Sequence, residues 1–80
     1  MKSTRSLTGN QLIKGLAHYG YVVTRQKGSH IRLTTLQHGQ HHVTVPAHDP
    51  ISIGTLSAIL SDVAEHFQST KDVVLATILN

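Results

Sequence analysis

The sequence predicts an α+β fold in which helices lie on one face of a three-stranded antiparallel sheet. Three observations predict it. Leu12, Ile13, Leu16 and Ala17 recur at helical spacing near the start, and Ile53, Leu56, Ile59, Leu60, Val63 and Phe67 recur at spacings of three and four further on. Between these stretches the apolar period drops to two, from His30 to Thr35 and again from His41 to Val45. Short glycine-bearing turns separate the strand-like runs. The resulting order is α-β-β-β-α, followed by an extra short C-terminal helix.

Each element has its own signals. Thr8 is placed to cap the first helix, with Gln11 three residues later able to reach back and Leu7 and Leu12 at the staple positions. Gly20 supplies a left-handed stop. Tyr21 to Arg25 is β-branched and aromatic, hence a strand. Gln26-Lys27-Gly28-Ser29 then reads as a turn. In the second strand Ile31, Leu33 and Thr35 face one way, and His30, Arg32 and Thr34 the other. Gln37-His38-Gly39-Gln40 is the next turn, and Pro46 ends the third strand, where Val43 and Val45 face the core opposite His42 and Thr44. Ser52 caps the second helix. Gly54 in its first turn lowers helix propensity by about 1 kcal/mol relative to alanine, a choice that suggests close packing or backbone approach there. Ser69-Thr70-Lys71-Asp72 opens the last helix, with Val73, Val74, Leu75, Ile78 and Leu79. Helices on one face of a three-stranded antiparallel sheet is the arrangement of double-stranded-RNA-binding domains. Fold alone does not assign function.

Composition narrows the classes. Residues 1–80 are expected to form a single domain whose thin core leaves little room for a deep pocket, so the site should be a surface or shallow groove. No window approaches the roughly 18 apolar residues of a membrane span, and the first residues lack a signal peptide's apolar region. No membrane association is expected. With no cysteine there is neither a disulfide framework nor a thiolate metal site, which fits the cytoplasm.

The net charge of +3 hides an asymmetry. Lys2, Arg5, Lys14, Arg25, Lys27 and Arg32 all precede the first acid, Asp49; after it come Asp62, Glu65 and Asp72 against Lys71 alone. A basic first part in a chain of pI 9.7 is the electrostatic footprint of a polyanion partner, most often nucleic acid. A solvated basic face with no partner is the competing reading.

The chemistry concentrates at Arg25-Gln26-Lys27-Gly28-Ser29-His30-Ile31-Arg32. His30 follows a glycine-serine turn and shares its strand face with Arg32, with Lys27 and Arg25 just before it. An imidazole exchanges a proton near neutral pH, and cations dock a phosphodiester and stabilise charge as it grows on the phosphorus. In RNA, a base that takes the 2′-hydroxyl proton creates an internal nucleophile, so neither metal nor protein nucleophile is needed. A histidine at a strand start can equally be a plain surface residue. His42, by alternation, shares the His30 face, and His48 follows just beyond Pro46. Either is a candidate for the acid that protonates the leaving 5′-oxygen, with surface display the bland reading for both. His18 and His66 sit near helix ends, where an imidazolium meets the dipole favourably. His38, His41, His42 and His48 crowd a short span, and imidazoles bind zinc or nickel. They straddle a turn without an acidic or thiolate companion, so no metal or other cofactor is expected.

Gly28-Ser29-His30, then Val45-Pro46-Ala47-His48, then Gly54-Thr55-Leu56 with Ile59-Leu60, all preceded by a helix ending Tyr19-Gly20-Tyr21, resemble the HicA toxins of HicA–HicB toxin–antitoxin pairs. Order and spacing agree from about Thr8 to Leu60. The resemblance implies a double-stranded-RNA-binding-like fold and a metal-independent ribonuclease, an mRNA interferase that cuts messenger RNA and blocks translation. It also implies inhibition by a HicB-like antitoxin that covers the active face. The family's catalytic histidine maps onto His30, with Gly28 and Ser29 as the turn of its motif. The tail from Asp62 to Asn80 looks like a longer variant of the family. Lys27, Arg32 and Arg25 are the expected RNA-binding cations. With Tyr21 the sole aromatic candidate for the free face, binding should be backbone-dominated and salt-sensitive. A monomeric free toxin and a larger complex with the antitoxin are expected. A non-catalytic RNA-binding module of the same fold is the alternative function.

Overall fold

The computed structural model describes residues 7–80, so Lys2 and Arg5 of the basic segment lie outside the described residues. The first helix, α1 (Gly9–Leu16), starts at the expected cap: Thr8 Oγ1 accepts the Gln11 N–H at 3.1 Å and Gln11 Oε1 accepts the Thr8 N–H at 2.9 Å. A 3₁₀ turn, Ala17–Tyr19, follows, and Gly20 at φ 82° ends it in the left-handed region.

Three strands come next: β1 (Val22–Lys27), β2 (His30–Thr35) and β3 (His41–Pro46), antiparallel in the order β1-β2-β3. β1 starts one residue later and ends two later than its composition suggests. Lys27 pairs with His30, which shrinks the connecting turn to Gly28-Ser29. Gly28 has φ 60° at the first turn position, the pattern of a type II′ hairpin turn, whose backbone twist matches the strands. A Cβ at Gly28 would meet nothing within 4 Å, so the backbone angle rather than space selects glycine there.

β1 carries a feature that its alternation does not announce. Val23 pairs with Leu33, yet Arg25 pairs with Arg32: two steps on β1 for one on β2. Thr24 is the extra residue of a β-bulge. Without it Arg25 and Lys27 would keep the parity of Val23 and point to the helix side. The bulge reverses that parity and turns both cations to the other face. Tyr21, before the bulge, is buried in the core at 2% exposure and so is no aromatic platform on the free face.

The helices back one side of the sheet. α2 (Ile53–His66) and α1 both pack on β3, and α3 (Lys71–Leu79) packs on α1 and α2. Leu12, Leu16, Leu33, Val45, Val63 and Val74 are fully buried between the layers. Ser52 and Thr70 cap α2 and α3, each accepting the N–H three residues on at 3.2 Å. The C-terminal helix is built into the core: a Cβ at Gly15 of α1 would collide with Ile78 of α3. Gly54 differs from expectation, since a Cβ there would meet nothing within 4 Å and no close packing explains it. Ile53 and Ala17, counted among the apolar stripes, are exposed, because helical spacing does not say where the buried arc ends.

Candidate nucleic-acid interface

The sheet's second face is covered by no helix among the described residues, and the strand register dictates what it displays. Three cross-strand rows lie on it: Lys27–His30–Pro46, Arg25–Arg32–Thr44 and Val22–Thr34–His42. Neighbouring strands are about 4.8 Å apart and successive rows about 6.6 Å, so His30, Arg32 and Lys27 fall within one phosphate's surroundings. Arg25, Lys27, His30, Arg32 and His42 are all exposed. Among the described residues the one ion pair is His41–Asp62, on the opposite face, so no carboxylate neutralises Arg25, Lys27 or Arg32.

His30 heads β2 beside the Gly28-Ser29 turn. Among the described residues nothing hydrogen-bonds its ring, which leaves both nitrogens available. The Ser29 carbonyl accepts the Ala47 N–H at 2.7 Å, tying this turn to the loop that leaves β3. The His48 carbonyl in turn accepts the Gly9 N–H of α1 at 2.9 Å. The loop carrying His48 therefore runs next to Ser29 and His30, and a small polar hollow lined by Thr8, Gly9, Asn10, Ala47, His48 and Asp49 lies there.

The histidines expected to crowd together are separated. His38 sits in the β2–β3 turn at φ 59°, its ring 5.1 Å from Phe67. His48 is in the loop after β3. His42 is on the open face, where Thr34 Oγ1 is 2.7 Å from its Nδ1. His41 points the other way, and both its nitrogens are taken. Asp62 Oδ1, 3.1 Å away, can only accept, so Nε2 carries the proton and Nδ1 accepts the Tyr21 hydroxyl at 2.7 Å. His66 stacks on His41 with ring centres 4.4 Å apart and donates from Nε2 to the carbonyls of Gln37 and Gly39. Burial, and secondarily the Asp62 carboxylate, push the Tyr21 phenol up to about 12. No group of three metal-ligating side chains converges among the described residues.

Sequence reading alone did not bring out Thr24, Thr34 or the Tyr21–His41–Asp62 chain. The bulge left one trace: continuing the Tyr21–Val23 alternation would bury Arg25 and Lys27, which signals a parity change.

A three-stranded antiparallel sheet backed by helices, with an uncovered basic face, defines the double-stranded-RNA-binding-like class of α+β folds. Residues 9–64 match the family model described as HicA toxin of bacterial toxin-antitoxin, which spans more than half of the chain. The chain belongs to the HicA toxin family. Membership makes it a toxin of a toxin–antitoxin system and implies a HicB-type antitoxin as its partner. No curated relative and no solved structure matches the chain significantly. α3 lies beyond the matched residues, and no helix among the described residues is long and apolar enough to cross a membrane.

Proposed function

We propose that the chain is a metal-independent endoribonuclease that cleaves messenger RNA, with His30 as its general acid–base residue. The observation that carries this reading is the His30 ring on an open face, unbonded by any described residue and flanked by Lys27 and Arg32 with no carboxylate among the described residues to neutralise them. The backbone of an RNA strand lies along β2, held by Lys27, Arg32, Arg25 and the Gly28-Ser29 turn. His30 takes the proton of a 2′-hydroxyl, and the oxygen so freed attacks the adjacent phosphorus. The bond to the 5′-oxygen breaks, and that oxygen leaves with a proton from a second group. The products are a 2′,3′-cyclic phosphate and a 5′-hydroxyl. The cations stabilise the charge that builds on the phosphoryl oxygens. His48 suits the second role better than His42. Its loop is tied to Ser29 beside His30, whereas His42 lies four residues along the strands from the His30 row, about 13 Å away. A HicB-type antitoxin is proposed to cover this same face.

Substituting His30→Ala tests the assignment. The variant is expected to fold and bind RNA like the parent and to cleave it about 10²–10⁴-fold more slowly. EDTA should leave the parent's rate unchanged, and end-group analysis should find the cyclic phosphate. Parent-like cleavage by His30→Ala would remove His30 from the chemistry. Salt-dependent RNA binding with no scission at any protein concentration would favour the non-catalytic module.

A further inference from the structure

His42 is held by a chain of hydroxyl groups that the reaction above does not use. Thr34 Oγ1 is 2.7 Å from His42 Nδ1 and 2.8 Å from Thr24 Oγ1, and Thr24 Oγ1 is 3.4 Å from the Arg32 carbonyl oxygen. Each hydroxyl has one proton to donate, and a carbonyl oxygen can only accept. Thr24 therefore donates to Arg32, and the contact between the threonines requires the Thr34 proton. In the arrangement that makes all three contacts Thr34 then has none left for His42, and His42 Nδ1 is the donor. Only this direction makes all three contacts: His42 Nδ1–H to Thr34, Thr34 to Thr24, Thr24 to the Arg32 carbonyl.

The consequence falls on the other ring nitrogen. With Nδ1 protonated in both charge states, Nε2 is the atom that gains or loses the proton, and no described residue bonds it. The chain accepts from Nδ1–H equally well in the imidazolium, so protonation breaks nothing. The charged groups sharing the face are Arg32 and Arg25, one row away, with Lys27 and His30 beyond them; the acids Asp62 and Glu65, with His66, belong to α2 on the helix side. An arriving phosphate would bring the negative charge that a protonated Nε2 can meet.

We infer that His42 is a proton-dependent contact for the phosphate backbone of RNA, about 13 Å along the sheet from His30, and that Thr24 and Thr34 are its positioning residues. The inference rests on the reading of the open face as the RNA site. Tethering through Nδ1 keeps the ring at its own row, so His42 serves a phosphate other than the one being cut. It also gives the bulge a second purpose, since Thr24 is the inserted residue.

The test uses a 2′-O-methyl RNA oligomer, which binds but offers no nucleophile, with affinity measured at pH 6 and pH 8 at fixed salt. The parent is expected to bind roughly tenfold more tightly at pH 6, the size of one charge-assisted contact. His42→Gln and Thr34→Val should lose most of that ratio, Thr34→Ser should restore it, and His30→Ala should keep most of it. A parent-like ratio in His42→Gln overturns the inference, and so does a ratio that survives Thr34→Val in a protein with parent-like thermal melting. Cleavage of unmodified RNA by His42→Gln that falls as far as in His30→Ala also overturns it, by placing His42 in the chemistry. Cleavage by the parent that His30→Ala abolishes sustains the RNA reading whichever way the His42 arm falls. A parent that binds no RNA at either pH defeats both.

Discussion

His41 and His42 are neighbours in the chain and opposites in the structure. His41 faces the helices, with one nitrogen accepting from Tyr21, the other donating to Asp62, and its ring stacked on His66. His42 faces outward with one nitrogen tethered and one bonded by no described residue, and His30, on the same open face, has neither tethered among the described residues. One step of strand register separates a histidine with both nitrogens engaged from one with a nitrogen that no described residue bonds. A ring whose two nitrogens are already engaged cannot change charge without breaking a bond. A ring with a free nitrogen can. The helix-covered face thus spends its polar groups on anchoring the sheet, and on the open face His30 and His42 Nε2 keep nitrogens that no described residue bonds.

The sharpest way to break this contrast is to truncate the two sides of β2 separately. Leu33 is fully buried toward the helices, and Leu33→Ala should cost about 2–5 kcal/mol, read as a large fall in the denaturation midpoint. His30→Ala, three residues earlier and exposed, should leave stability within about 0.5 kcal/mol of the parent while removing cleavage. Comparable destabilisation by both would show that the open face is part of the folding core and not a surface held in reserve.

Tyr21 tests the anchoring side more gently. Tyr21→Phe deletes the donor to His41 Nδ1 and is expected to cost about 1 kcal/mol, the net worth of a hydrogen bond. The pH dependence carries a definite sign. The folded phenol titrates near 12 rather than 10, so the folded state prefers the protonated form. Its contribution is fully present below pH 10 and is lost as pH rises from 10 through about 12. The parent should therefore lose stability across that window more steeply than Tyr21→Phe, as read by denaturant midpoints at several pH values. Equal slopes would mean that the hydroxyl is not held as the structure shows.

Much of this architecture was legible in the sequence because it is local. The Thr8–Gln11 box, the left-handed Gly20, the two-residue periodicity of β2 and the caps at Ser52 and Thr70 each depend on residues within four positions, and each is present. The grouping of Lys27, His30 and Arg32 followed from the same short-range logic. What the residues did not reveal depends on distant partners. The Tyr21–His41–Asp62 chain joins residues about twenty apart twice over, so in the sequence His41 stands out only as one of the histidines crowded with His38, His42 and His48. Nor does any local signal say that the Ser29 carbonyl will hold the Ala47 N–H and so carry His48 to the Gly28-Ser29 turn. Gly54 misled for a related reason: a glycine in a helix suggests crowding, and there is none around it.

The smallest expected effect probes the bulge, which decides which face each β1 side chain joins. Arg25 and Gln26 are adjacent and both exposed, but Arg25 pairs with Arg32 on the open face and Gln26 with Ile31 on the helix side. If the open face binds RNA through its backbone, Arg25→Ala should reduce the slope of log affinity against log salt by about 0.7, the value for one single-strand phosphate contact. Gln26→Ala should leave that slope unchanged. Arg25→Lys should keep the slope, because counterion release counts charge rather than the shape of the head group, though it weakens any bidentate hold on the phosphate. Arg25→Ala with an unchanged slope would mean that the strand of RNA does not reach Arg25. The polyanion path would then narrow to the line through His30, Arg32 and the loop at His48.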